Sequence, residues 1–325
     1  NVWSAFLAWL QVRQAGGTLV LRIEDIDEQR SKAVYTKALM EDLSWLGLTW
    51  DEGPRVGGPD GPYYQSERSD YYESIIGQWA TAGAVYPCYC NRARLLQIAS
   101  APHEGEAPVY YDGHCRHLTE AERAEASSRK TPSLRRAVFE PAIVSWCDYW
   151  QGSQSQLIRP EADDFVVRRA DGMYAYNLAV VADDAAMGIT EIIRGYDLLD
   201  ATGIQLWLYE QLGFPVPHYG HVPLLIDSEG ARLSKRQHSI TIRELREAGY
   251  TAADIIGRLA SMAGLTCAEG SRGVDAGFGA GRGGFEALSA EALFHRLRDA
   301  GYVNLNNNDY LKDSHLKLTN FDIKV

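Results

Sequence analysis

Residues 16–27, GGTLVLRIEDID, constrain the fold more than any other part of the chain. A turn opens the stretch, an apolar run over 19–23 follows, and an acidic cluster stops it. A run apolar on both faces reads as a strand buried within a covered sheet. The pattern returns at 191–193, closed by Arg194 and Gly195, and again in HVPLL. Helical stripes alternate with these strands. Val2, Phe6, Ala8 and Leu10 form one, ended by Gly16 and Gly17. Tyr35, Leu39, Leu43 and Leu46 mark a second over 31–47, and Tyr72, Ile75, Ile76 and Trp79 a third over 66–83. TGIQLWLYEQLGF is a fourth, ended by Gly213 and Pro215, and the region 241–265 holds two more. Strands alternating with helices predict an α/β fold around a parallel sheet, with ligands bound beyond the carboxyl ends of the strands.

Three cysteines add a local constraint. Cys88 and Cys90 are separated by one residue, and Cys115 follows after a segment long enough to fold back. Thiolates at such positions hold zinc tetrahedrally and close the loop between them. The fourth ligand is open on spacing alone: Tyr111 precedes Cys115 by four residues and His117 follows it by two. A disulfide is the plainer alternative. Cys147 and Cys267 have no partner motif and read as buried or incidental. A zinc site of this kind supports structure and does no chemistry, so function has to lie elsewhere.

The 325 residues suffice for about two domains. Hydrophobic content of 46% and charged content of 23% are ordinary for a globular protein. No apolar run approaches the ~20 residues that span a bilayer, and the first residues have no basic and cleavable leader pattern. These features predict a cytoplasmic protein with no membrane partner, and a monomer is expected. The net charge of −11 argues against a generic nucleic-acid coat, whose affinity comes from many Lys and Arg contacts to phosphate. A specific RNA would have to meet a local basic patch, for which Arg135–Arg136, Arg168–Arg169 and Arg232–Lys235–Arg236 are the candidates.

Four groups of residues could carry chemistry. Arg232, Ser234, Lys235 and Arg236 follow a predicted strand and turn, and such a loop can close over a triphosphate whose charge positioned cations stabilise. A solvated charged loop is the competing account. Arg22, Glu24, Asp25 and Asp27 stand at a buried strand's end, where a carboxylate can hold an ammonium and an arginine can fork onto a carboxylate. Asp27 could instead cap a helix. Tyr176 opens the apolar run 178–181, and Asp183–Asp184 close it, as caps for the next helix. Arg194, at a strand end and followed by Gly195, is placed to reach an anion or to form a structural salt bridge.

The layout expected is a catalytic domain over 1–85 and 119–250, a zinc-binding insertion over 86–118 and a helical segment over 251–267. A Gly-rich linker and unassigned tail over 268–325 complete it. The alternating glycines 277, 279 and 281 lack the strand and helix that a phosphate loop needs.

The strings LRIEDID, YPCYC with YDGHCR, YNLAVVADDAAMGITEIIRG and ARLSKR occur in that order. Together they resemble the catalytic domain of glutamyl-tRNA synthetases over roughly residues 1 to 265, and most closely their short bacterial paralogue, glutamyl-Q tRNA(Asp) synthetase. RGYDLLD is similar to a string of that paralogue, and only about ninety residues follow Lys235, too few for helical anticodon-binding domains. The resemblance implies a class I Rossmann-like parallel sheet. It implies ATP with Mg2+ and L-glutamate as substrates, glutamyl-adenylate as product of the first step, and transfer to queuosine in tRNA(Asp). It matches Glu24, Tyr176 and Arg194 to L-glutamate contacts. Lys235 matches the lysine on ATP phosphates, within a loop where Arg232 keeps the charge of the family's first lysine. It assigns zinc to Cys88, Cys90, Tyr111 and Cys115, although the CRH string also fits relatives in which His117 would serve. Asn1 aligns just after the family's N-terminal strand and H-x-G-H box, so the polypeptide as it stands is expected to form no adenylate. The alternatives are a truncated glutamyl-tRNA synthetase charging tRNA(Glu) and an inactive RNA-binding fragment.

Overall fold

The computed structural model describes residues 2–27, 29–91, 94, 111–225, 241–263, 265, 289–291, 295 and 317–319. Helix α1, Val2–Ala15, is buried nearly all round from Ala5 to Val12, as an internal helix must be. It ends where Gly16 takes φ +66° and Gly17 N–H returns to the Val12 carbonyl at 3.0 Å. Strand β1, Thr18–Val20, is shorter than the predicted run. Its continuation stays extended and bridges in parallel to other chain segments, Val20 to Glu52 and Ile23 to Tyr64.

Helix α2 is Ala33–Trp45 and α3 is Ser69–Thr81. On α3 the stripe Tyr72, Ile75, Ile76 and Trp79 is buried as its spacing predicts. On α2 the stripe holds at Leu43 and Leu46, with Leu39 packed against the same core, but Tyr35 is exposed and the unpredicted Met40 is buried. Strand β2, Val85–Cys88, pairs antiparallel with β3, Ser133–Arg136, which pairs antiparallel with β6, Phe165–Arg168. Helix α4, Glu120–Arg129, starts from a Thr119–Glu122 capping box. Strands β4, Ala142–Asp148, and β5, Gly152–Ile158, form a hairpin. Helix α5 is Tyr176–Ala186, β7 is Glu191–Gly195, and α6 is Leu199–Leu212. Strand β8 is His218–Val222, and helices α7, Ile242–Glu247, and α8, Ala252–Met262, follow.

The main sheet, completed by β9, Lys317–Thr319, runs in the order β1-β9-β7-β8-β4-β5. Strands β1, β9, β7, β8 and β4 are parallel, and β5 is an antiparallel edge. Two expectations change here. The parallel sheet carries this antiparallel edge and is accompanied by the separate β2–β3–β6 sheet. And the tail beyond 268 is not wholly apart: its residues Lys317–Thr319 form β9, seated between β1 and β7 with Leu318 opposite both Leu19 and Glu191. The Gly-rich segment itself lies outside the described residues. One core joins α1, α2 and α8 to the sheet, and a second joins α3, α5 and α6 to the β6 side. No helix among the described residues is long and apolar enough to cross a membrane.

Candidate functional site

The carboxyl rim of the parallel strands brings several predicted residues to one side of the sheet. Leu19 and Glu191 sit level with Leu318 between them, so Glu24 beyond β1 and Arg194 in β7 extend toward the same rim. Tyr176 is half-buried at the first position of α5. Its neighbour Asn177 accepts from Gln205 Nε2 at 3.0 Å, and Gln205 Oε1 accepts from Arg194 at 2.7 Å. Arg194 and the start of α5 are therefore two hydrogen bonds apart. Lys235, Arg232 and Ser234 lie outside the described residues.

Glu24 is buried beside Arg22, which donates to its Oε1 at 3.3 Å. Arg22 also reaches Asp184 at 2.6 Å and Asp183 at 3.6 Å. Burial alone would lower the Arg22 pKa, but Asp184, Asp183 and Glu24 hold it well above the usual arginine value. Asp183 accepts further from Arg68 Nε at 2.6 Å, Gln65 at 2.7 Å and the Tyr72 hydroxyl at 2.8 Å. The two aspartates are thus buried network members within α5, and the expectation that they cap the next helix was wrong. Asp27 is not a helix cap either: α2 begins after Lys32, and Asp27 pairs with Arg30 and Arg169. Asp25 receives Ser66 through both its backbone N–H and its hydroxyl, at 2.9 and 2.8 Å.

Arg194 is the largest fully buried side chain among the described residues. Its Nε donates to His221 Nε2 at 2.9 Å, and its terminal nitrogens donate to Gln205 Oε1, Thr202 Oγ1 at 2.9 Å and the Leu198 carbonyl at 3.3 Å. Its guanidinium also lies over the Tyr219 ring, 4.8 Å from the centroid. These hydrogen bonds hold the guanidinium from several sides. Sequence reading missed Asp148 and His221. Asp148 ends its strand, but His221 sits inside the mixed run HYGHV, so no local pattern marked the pair.

The cysteines converge. The sulfurs of Cys88, Cys90 and Cys115 lie within 4.8 Å of one another, Cys90 and Cys115 at 3.5 Å. The Tyr111 hydroxyl is 3.8 Å from Cys88 Sγ. Tetrahedral zinc at ~2.3 Å from sulfur needs ligand–ligand edges of roughly 3.8 Å, so this donor set fits the metal. His117 points elsewhere, with Nε2 2.7 Å from Glu161 in an exposed pair. Burial would raise the Cys88 pKa, but hydrogen bonds from Arg135, at 3.3 Å, and its surroundings bring it below the ordinary thiol value. Burial and the nearby Cys88 push Cys90 up to about 12.

Two of the three basic patches engage groups within the chain. Arg135 is buried against Cys88 and the Tyr111 ring, and Arg136 is buried beside Trp79 and Trp207. Arg168 pairs with Glu73, and Arg169 with Asp171 and Asp27. The third patch, 232–236, lies outside the described residues.

Comparison with known proteins agrees with this architecture. The family model for the class I tRNA synthetases (E and Q), catalytic domain, matches residues 2–272. The chain is 49% identical over 267 residues to the glutamyl-Q tRNA(Asp) synthetase of Nitratidesulfovibrio vulgaris, covering 82% of each. It is 50% identical over 268 residues to the enzyme of that name from Symbiobacterium thermophilum, again 82% of each. A solved glutamate-tRNA synthetase from Elizabethkingia anophelis superposes with a TM-score of 0.71 at 28% identity, over 90% of this chain and 61% of its own. A match across most of its length, on a sheet whose carboxyl rim gathers Glu24, Arg194 and the start of α5, makes this chain a member of the class I tRNA synthetases of the glutamate and glutamine branch.

Proposed function

We propose that the chain serves the ATP-dependent activation of L-glutamate to glutamyl-adenylate and the transfer of glutamate to queuosine in the anticodon loop of tRNA(Asp). Sequence likeness carries this reading. The chain is 50% identical to the enzyme named for that reaction in Symbiobacterium thermophilum and 40% identical to the glutamate–tRNA ligase of the same organism.

In this reading Glu24 meets the substrate ammonium, Arg194 its carboxylate, and Tyr176 lines the same pocket. Opposite charges at these positions suit a zwitterionic amino acid. A carboxylate oxygen of glutamate attacks the α-phosphorus of ATP, and pyrophosphate leaves. Lys235, Arg232 and Ser234 belong to the loop that holds the ATP phosphates, with Mg2+ accompanying the nucleotide. Cys88, Cys90, Cys115 and Tyr111 would hold a structural zinc ion, and the ion closes the insertion loop. The protein would work in the cytoplasm as a monomer.

The fold likeness to a glutamate-tRNA synthetase favours a second reading, charging of tRNA(Glu). Labelled glutamate separates the two. The first predicts acid-labile label on queuosine-containing tRNA(Asp) and none on tRNA(Glu); label on tRNA(Glu) alone overturns it. ATP–pyrophosphate exchange driven by L-glutamate tests whether this polypeptide forms adenylate.

A further inference from the structure

Arg194, His221 and Asp148 lie side by side on three neighbouring parallel strands, β7, β8 and β4. Arg194 is in register with His221, and Asp148 pairs with Tyr219 two residues before it. All three are buried. Asp148 Oδ1 accepts the backbone N–H groups of Trp150, Gln151 and His221, each at 3.0 Å. Its Oδ2 faces His221 Nδ1 at 2.5 Å. The far side of the same imidazole faces Arg194 Nε at 2.9 Å and Thr202 Oγ1 at 3.1 Å. The Tyr219 ring stacks nearly parallel to His221, at 6°. Trp150 closes over Gly220 so tightly that a methyl group there would collide with the indole.

The chemistry of the donors fixes the protons. An arginine Nε–H can only donate, so His221 Nε2 must accept and bear a lone pair. The ring proton then sits on Nδ1 and is donated to Asp148. Burial raises the Asp148 pKa, yet the hydrogen bonds from His221 and from the backbone hold its carboxyl below the usual range. An ionised Asp148 is the acceptor this tautomer needs.

We propose that Asp148 and His221 are positioning residues that set the plane of Arg194 for the carboxylate of the amino-acid substrate. Ionised Asp148 selects the Nδ1–H tautomer, and the bare Nε2 then aims the guanidinium. The inference rests on the reading of Arg194 as the carboxylate holder. Its distinctive consequence is that an isosteric change at Asp148 acts on Arg194, two strands away. In Asp148→Asn the amide keeps an oxygen for the backbone N–H groups and turns its NH2 toward His221 Nδ1. The imidazole must then carry its proton on Nε2, where it confronts Arg194 Nε–H, two donors face to face.

Calorimetric titration of the full chain with L-glutamate and, separately, ATP tests this. Asp148→Asn is expected to weaken glutamate binding about tenfold, the effect of one lost hydrogen bond, with ATP affinity unchanged. His221→Asn, which retains a donor toward Asp148 and loses the acceptor toward Arg194, should match it. His221→Gln, whose Oε1 can accept from Arg194, should recover most of the loss. If Arg194→Ala weakens glutamate binding and Asp148→Asn and His221→Asn do not, the positioning role is overturned while the reading of Arg194 survives. If Arg194→Ala leaves glutamate binding intact, that reading falls, and this inference with it. Should the variants fail to fold, long-range 1H–15N spectra of the unaltered protein decide. His221 protonated at Nδ1 and bare at Nε2 supports the proposal; a proton on Nε2 at neutral pH ends it.

Discussion

Two buried arginines, Arg22 and Arg194, stand at the same rim of one sheet and are held in opposite ways. Arg22 is gripped by three carboxylates, Asp183, Asp184 and Glu24, within a network that continues to Arg68 and Tyr72. Arg194 is held by an imidazole, an amide, a hydroxyl and a carbonyl. An anionic ligand approaching Arg22 would meet fixed negative charge first. The imidazole, amide, hydroxyl and carbonyl acceptors of Arg194 are directional and fix its plane ahead of a ligand, which lowers the ordering cost of binding. One cation ties the segment after β1 to α5 and its network, and in the proposed function the other is prepared for recognition. A carboxylate network and a set of neutral acceptors can bury the same side chain for different ends.

The largest effect should come from the first arginine. Arg22→Met leaves Asp183, Asp184 and Glu24 buried without their shared cation, and denaturant unfolding should show a loss of about 3–5 kcal/mol. A loss under ~1 kcal/mol would mean that the network does not support the fold, and the contrast with Arg194 would collapse.

A carboxylate at the opposite rim sharpens the contrast. Glu191 opens β7 and is buried with the Tyr149 hydroxyl at 2.5 Å. Burial lifts its pKa to about 7, against a partial opposing effect of that hydrogen bond. Its folded value lies above its unfolded value, so the folded state binds the extra proton. Stability should therefore fall as pH rises from about 4.5 through 7. Glu191→Gln should flatten that decline and leave the protein more stable above pH 7, by up to about 3 kcal/mol. Unfolding followed across pH checks the slope; identical slopes in the two proteins would show that Glu191 does not titrate in this window.

Much of this was legible from local sequence because the information was local. The apolar stripe of α3, the Gly-ended helix α1, and the placement of Glu24 beyond β1 and of Arg194 near the carboxyl end of β7 follow from short-range pattern. The three cysteines met because zinc-type spacing implies a return of the chain. What failed was pairing over distance. Asp183 and Asp184 look like caps until Arg22, some 160 positions away, arrives between them. Arg135 and Arg136 look like an RNA patch until strand β3 turns them toward Cys88 and the tryptophans. Asp148 and His221 are unremarkable singly and acquire a role only through the order of β7, β8 and β4. Strand β9 carried too little apolar pattern, in three residues, to be predicted.

The account stands most directly on how L-glutamate responds to Arg194→Lys, measured by calorimetry alongside thermal unfolding. Lysine keeps the charge but not the planar fork that His221, Gln205 and Thr202 orient. We predict at least a tenfold weaker affinity for L-glutamate, about 1.4 kcal/mol, with the melting temperature within a few degrees of the parent. Undiminished glutamate affinity in a variant that melts much earlier would contradict it, and would make Arg194 a structural arginine like Arg22.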